Sequence, residues 1–352
     1  MAITIDIDTA RPYQVHVGTF LLEQTGPLVR ATAGGTKAVI VTDTNVGPLY
    51  QMPVKHSLEA SGYEVSICTF EAGEAHKCAE TYVAILEFVA EHELSRSDVI
   101  VALGGGVVGD VTGFVAATYM RGCKFVQIPT SLLAMVDSSV GGKTGVNLEH
   151  GKNLVGAFHQ PSLVVCDTDT FATLDDRTFA DGTSETIKCG MICDAELFGK
   201  MSGDFRKNIE DIAANCVAIK RDVVCEDEFD TGKRQLLNFG HTIGHAIEKC
   251  SDFEITHGHA VAIGMAAVTR AAEKLGICEK GTADTLCITL EKCSLPTECA
   301  FSAKELYGVM LSDKKRAGAT ITLVVPKKIG ECVLHKIPVG ELLNFVEKGL
   351  EK

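Results

Sequence analysis

Nowhere in the 352 residues does an apolar run approach the roughly 20 residues that a membrane-spanning helix needs. The opening stretch "MAITIDIDTARPYQVHVG" has no basic start, no apolar block and no cleavage site. It alternates like a strand and is no signal peptide, so a cytoplasmic location and no membrane partner are expected. Tryptophan is missing altogether, and there is no internal repeat or low-complexity tract. None of the 14 cysteines forms a C-x-x-C pair. Free, buried thiols are therefore expected, with Cys189 and Cys193 on one helix face as small core residues. Positive charge is also short: 33 Lys and Arg against 46 Asp and Glu leave a net charge of −13. That balance argues against a nucleic-acid partner. It also makes any local cluster of lysines informative, because such a cluster opposes the overall field and would suit an anionic ligand.

What is present is ordinary globular material, 46% hydrophobic and 22% charged, in a length that suggests two domains. The first half alternates short β-branched runs with helical patterns: "KAVIVTD", "YEVSICTF", a helical stretch from about Cys78 to His92, "DVIVALGGG", "FVQIPTS" and "SLVVCDTD". Apolar strands separated by helices predict a mostly parallel sheet covered on both faces. Ligands of such sheets bind beyond the carboxyl ends of the strands, where Asp43, Gly104–Asp110, Thr130 and Thr170 fall. Near Phe179 the character changes to long helical patterns, closed by a strand pair "ATITLVVPKKIGECVLHKI" with "KKIG" as its turn. The expected organisation is an α/β nucleotide-binding domain over residues 1–178 and a mostly helical domain over 179–352.

Three motifs carry chemistry. "GGGVVG", Gly104 to Gly109, matches G-x-G-x-x-G between a strand and a helix, where glycines let the backbone approach a pyrophosphate at a helix N-terminus. The ribose-binding acid expected about 20 residues later is missing, and Asp43 is the better candidate. "DSSVGGKTGVN" resembles a P-loop but has Asp137 where the first glycine should stand, so that reading fails. What remains is Lys143 beside glycines, followed by Lys152 in "GKNLVGAFHQP", two point charges with little side-chain obstruction. The third motif, "NFGHTIGHAIE", puts His241 and His245 four apart on one helix face, with His257 twelve residues on in "THGHAVAIGM". The H-E-x-x-H signature is absent. A catalytic metal usually takes three protein ligands, and spacing alone leaves open which histidines bind and whether an acid elsewhere completes the set.

In combination and in order, "LGGGVVGDVTGFVAATYMRG", "IPTSLLAMVDSSVGGKTGVN", "GKNLVGAFHQP", "SETIKCG", "LLNFGHTIGHAIE" and "HGHAVAIGM" closely resemble the 3-dehydroquinate synthase family of sugar-phosphate cyclases, over essentially the whole chain. The resemblance implies an NAD-dependent enzyme with a divalent metal, Zn2+ or Co2+. It would be commonly a homodimer, converting a phosphorylated sugar acid to a carbocycle with loss of phosphate. It implies Glu185, His241 and His257 as metal ligands, which makes His245 a substrate contact. Toward the cofactor it implies Asp43, Asn45, Glu74, Lys77, Gly105, Gly106, Val107, Val108, Gly109, Asp110, Thr130, Ser131, Asp137, Lys143, Lys152, Thr170, Phe171, Ala172 and Thr173. The implied substrate shell is Asp137, Lys143, Lys152, Asn153, Lys188, Lys220, Arg234, Asn238, His245 and Lys314 (or Lys315), with Arg121 reaching a partner subunit's phosphate site. Catalysis would rest on Lys152, His245, Asn153, Lys143 and Arg234. The chain departs from the usual pattern at His259, where glutamate is common, and a supporting position behind the ligands is expected for it. Rival readings are a metal-dependent polyol dehydrogenase, a cyclase making another product such as 2-deoxy-scyllo-inosose, and a catalytically silent scaffold. Intact Glu185, His241, His257 and Lys152 speak against the last.

Overall fold

The computed structural model describes residues 2–314 and 319–351. It divides into two compact units, Met1–Leu174 with Cys216–Phe229, and Asp175–Asn215 with Asp230–Lys352.

The first unit is built on strands β1 (Ile3–Ile7), β2 (Tyr13–Gly18), β3 (Lys37–Asp43), β4 (Glu64–Phe70), β5 (Val99–Gly104) and β6 (Lys124–Pro129), a hairpin β7 (Lys143–Leu148) and β8 (Gly151–Phe158), and β9 (Leu163–Asp167). Its helices are α1 (Thr25–Thr32), α2 (Gly47–Ala60), α3 (Ala79–Glu91) and α4 (Gly106–Thr118). Seven strands form one sheet in the order β1-β2-β9-β6-β5-β3-β4. All neighbours are parallel except β1 and β2. The strands read as continuous apolar runs because both faces are covered, yet the two-residue period still sorts them. Ile40, Val101, Leu103 and Val126 join Val29 of α1 and Val54 and Leu58 of α2 in one core. Val39, Val41, Ile100 and Phe125 join Ile85 and Val89 of α3 and Val111 and Val115 of α4 in the other. The β7–β8 hairpin, a separate two-stranded sheet, was not apparent from local pattern. Its strands are broken by Gly145 and Gly156, which sit against each other's backbones where a side chain would not fit.

The second unit is mostly helical: α5 (Asp176–Cys193), α6 (Ala195–Lys200), the first residues of α7 (Ile209–Glu226), α8 (His241–Cys250), α9 (His257–Lys274), α10 (Thr282–Lys292), α11 (Ala303–Lys314) and α12 (Val339–Leu350). The expected late hairpin is β10 (Thr320–Lys328) and β11 (Glu331–Pro338), closed by a two-residue turn at Ile329–Gly330 with φ +80° at the glycine. Helix α9 is the hub, packed on α5, α8, α10 and α12. Glycines let its neighbours come close. A Cβ on Gly258 would lie 2.3 Å from Asp181 of α5, and one on Gly264 would lie 2.1 Å from the Gly240 carbonyl just before α8. The glycines flanking the histidines thus bring three helices together at one end. The cysteines are free, as expected. Cys189 is buried, but Cys193 at the C-terminal end of α5 is exposed, because the helix leaves the core there. Among the described residues no helix is long and apolar enough to cross a membrane.

Candidate active site

In the first unit Asp43, Gly105–Asp110, Thr130, Ser131 and Thr170–Thr173, among the expected cofactor positions, lie at or just after the carboxyl ends of β3, β5, β6 and β9, whereas Lys143 and Lys152 lie in the β7–β8 hairpin. β5 ends at Gly104, Gly105 caps α4, and the helix begins at Gly106. A Cβ on Gly109 would meet the end of the Gln127 side chain of β6 at 2.7 Å, which shows how closely the helix lies on the sheet here. Val108 is fully buried in the core, and Val107 packs against it. What these residues offer a ligand is their backbone N–H groups at the helix N-terminus, where anions are favoured. Thr130 donates its N–H to the Gly104 carbonyl at 3.0 Å, and Ser131 Oγ accepts from Ala134. Asp43 is buried at the end of β3, and its Oδ1 accepts the N–H groups of Asn45 and Val46 at 2.9 and 2.8 Å, which fixes that turn. Thr170, Phe171, Ala172 and Thr173 form a short 3-10 turn after β9. Tyr50 of α2, which sequence reasoning missed, holds that turn through the Thr170 carbonyl and the Thr173 hydroxyl.

A polar network follows. Lys77 is buried and donates to Asp110 Oδ2 at 2.5 Å and to Asn153 Oδ1 at 2.7 Å. Asn153 sits at φ +55°, a conformation asparagine tolerates better than most residues. Its own N–H is held by Asn147, which also donates to Glu74 at 2.8 Å. Lys152 stands 3.7 Å from Glu74. Burial pushes the Asp110 carboxyl up, with the Lys77 ammonium opposing. Lys220 pairs with the Asp137 carboxylate and also donates to its backbone carbonyl. Lys143 opens β7 at the surface. Arg121 is exposed in a turn where Met120, Arg121 and Gly122 all have positive φ, at 48, 64 and 116°. It borders a groove with Arg11, Arg96 and Lys124.

In the second unit, α5 carries Glu185 and Lys188, α8 begins at His241, and α9 begins at His257. Glu185 is fully buried. Its Oε2 pairs with Lys188, while its Oε1 lies 3.5 Å from His257 Nε2 and 3.8 Å from His241 Nε2. One donor atom from each of the three lies within 4.8 Å of the others. Two ligands about 2.1 Å from one tetrahedral ion stand roughly 3.4 Å apart, so an N/N/O set of this size fits a divalent metal. The helix-face partner His245 is not in that set. With Asn238, His241, Gln235 and Thr242 it lines an adjoining pocket. Burial, then the Lys188 ammonium, holds the His241 imidazole down at about 3, with Glu185 opposing. Burial also works against a proton on His257, but hydrogen bonds and charges from Glu185 and Glu248 outweigh it and lift the ring to about 10.

Glu248 was missed. It is buried on α8, and its Oε2 lies 3.2 Å from His257 Nδ1. The signal was there: His241, His245 and Glu248 fall at i, i+4 and i+7 on one helical face. His245, Glu248 and His257 form a second overlapping donor set. His259 turns the other way, its Nδ1 lying 2.8 Å from Asp181 Oδ1 and 2.9 Å from the Thr256 hydroxyl. Arg234 is buried. Lys315 lies outside the described residues, and so does the side chain of Lys314.

A family model described as the 3-dehydroquinate synthase N-terminal domain matches residues 67–181, and one for the C-terminal domain matches 182–316. The 3-dehydroquinate synthase of Streptococcus suis is 44% identical over 355 aligned residues, covering 99% of this chain and 100% of that protein. Among solved structures, 2-deoxy-scyllo-inosose synthase in complex with carbaglucose-6-phosphate, NAD+ and Co2+ is 25% identical with a TM-score of 0.89. The match covers 99% of this chain and 100% of that one. The 2-epi-5-epi-valiolone synthase of Streptomyces hygroscopicus, with NAD+ and Zn2+ bound, is 26% identical with a TM-score of 0.87 over 96% of each chain.

Proposed function

This chain belongs to the 3-dehydroquinate synthase family, and from that membership and the site's chemistry we infer that it converts 3-deoxy-D-arabino-heptulosonate 7-phosphate into 3-dehydroquinate and phosphate, a step of the shikimate pathway toward aromatic amino acids. The observation that carries the reading at the level of chemistry is the Glu185, His241 and His257 donor set beside the buried Lys188. When bound, NAD supplies a transient hydride acceptor and the divalent ion supplies Lewis acidity toward a substrate hydroxyl. Zinc and cobalt both suit two imidazoles and a carboxylate.

The chain's own residues would do the rest. Glu185, His241 and His257 would hold the ion. The N–H groups of Gly106, Val107 and Val108 would seat the cofactor pyrophosphate, with Asp43, Asn45, Glu74, Lys77 and the Thr170–Thr173 turn toward its other parts. Lys143, Lys152, Asn153, Lys188, Lys220, Arg234 and Asn238 would meet the substrate's carboxylate, phosphate and hydroxyls, and His245 would hold a hydroxyl one helical turn from His241. Phosphate leaves carrying negative charge, and fixed cations aimed at it lower that barrier without reorganising. In a chain of net charge −13, this many lysines and a buried arginine among the expected substrate residues support the reading of an anionic ligand. The exposed, strained presentation of Arg121 suits a residue that serves the phosphate site of a second copy in a homodimer.

Purified protein given NAD, a divalent ion and the heptulosonate phosphate is expected to release phosphate and dehydroquinate in equal amounts. Release should require NAD and leave no lasting NADH absorbance. Stoichiometric NADH would point to a polyol dehydrogenase, and a different carbocycle to another cyclase of the same fold.

A further inference from the structure

The His257 ring faces two carboxylates. Its Nε2 is 3.5 Å from Glu185 Oε1, and its Nδ1 is 3.2 Å from Glu248 Oε2. A neutral imidazole carries one N–H, so it offers a metal a lone pair at one nitrogen only if the other holds the hydrogen. Which nitrogen that is depends on where an acceptor stands. Glu248 is 3% exposed, and a carboxylate so buried is costly unless it accepts strong hydrogen bonds. It sits on α8, two turns after His241 and on the same face. A single helix therefore supplies one ligand and the acceptor for another.

We propose that Glu248 is the positioning residue of the metal centre, accepting the Nδ1–H of His257 so that the Nε2 lone pair points at the space shared with Glu185 and His241. The proposal rests on the reading that those three residues hold the ion. It gives Glu248 no place in the coordination sphere, which sets it against the overlapping set of His245, Glu248 and His257. Groups that hold the second nitrogen of a ligating histidine typically change metal affinity 10- to 100-fold when removed.

The test is zinc affinity of the full-length protein by chelator competition, for wild type, E248A, E248Q, E185A and H245A. E248A is expected to bind about 10- to 100-fold more weakly. E248Q, whose amide oxygen still accepts the Nδ1–H, should lose less and should shift the visible spectrum of the cobalt-loaded protein. E185A should bind weakest, and H245A like wild type. Wild-type affinity in E248A together with loss in E185A overturns the role of Glu248 and leaves the metal site standing. Wild-type affinity in E185A together with loss in both E248A and H245A moves the ion to the other donor set and overturns the metal assignment itself. If E248A fails to fold, E248Q with wild-type affinity and an unshifted cobalt spectrum overturns the proposal.

Discussion

His241 and His245 share a helix face, yet only the first lies in the donor set with Glu185 and His257, and their alanine variants should separate the two roles. Structural zinc sites bind with about 10–16 kcal/mol over four ligands, or roughly 2.5–4 kcal/mol each. Removing one ligand of three should therefore weaken zinc by about two to three orders of magnitude. His257→Ala is expected to purify largely without metal. His245 lies beside the set, with ring centroids 5.4 Å from His241 and 5.8 Å from His257, and lines the adjoining pocket. His245→Ala should keep near-stoichiometric metal. What it should lose is a hydrogen bond to a substrate hydroxyl, about 0.5–1.5 kcal/mol, which lowers turnover roughly 2- to 10-fold. The assay is elemental analysis of both variants after dialysis, followed by phosphate-release kinetics with metal restored. If His245→Ala loses the metal while His257→Ala keeps it, the helix-face pairing is the true ligand pair and the reasoning fails.

Three further outcomes are expected. If Arg121 serves the site of a second copy, mixing an inactive Arg121→Ala subunit with an inactive Lys152→Ala subunit should restore activity, up to half of wild type, because one site of a mixed dimer would then have both groups intact. Verified heterodimers without recovery would refute the shared site. Zinc affinity should rise about tenfold per pH unit between pH 7 and 9, since the ion must displace one proton from His257 (near 10) and none from His241 (near 3). A flat profile, or a slope of two, would contradict that assignment. Asp98→Asn should destabilise the first unit by about 2–4 kcal/mol, measured by denaturant unfolding, because an amide nitrogen would face the Ser95 N–H. Burial works to raise the Asp98 carboxyl, but hydrogen bonds from Ser95, Lys37 and Thr36 hold it at about 2. A pKa depressed on folding stabilises above the unfolded value, so the gap between wild type and variant should close as pH falls from about 4 to 2.

The alternation of covered strands and helices was legible in the first half because sheet and helix periods are local properties of the chain. So were the strand ends that carry Asp43, Gly104 and Thr130 and the helices that carry Glu185, His241 and His257. The β7–β8 hairpin was not, because its glycine-broken strands lack the apolar alternation of the main sheet. Nor was the exposure of Cys193, which depends on where α5 leaves the core. The ligand set lay furthest from local reading. Spacing pairs His241 with His245, since a helix brings residues four apart together, and leaves His257 open as a third; only resemblance pointed to Glu185 and set His245 aside. Glu185 and His257 stand on other helices, and they meet His241 because Gly240, Gly258 and Gly264 let α5, α8 and α9 close to backbone contact. Glu248 behind His257 follows from the same approach. Periodicity reports which residues share a face, but it cannot report which foreign helix that face meets, and the donor set is made of that meeting.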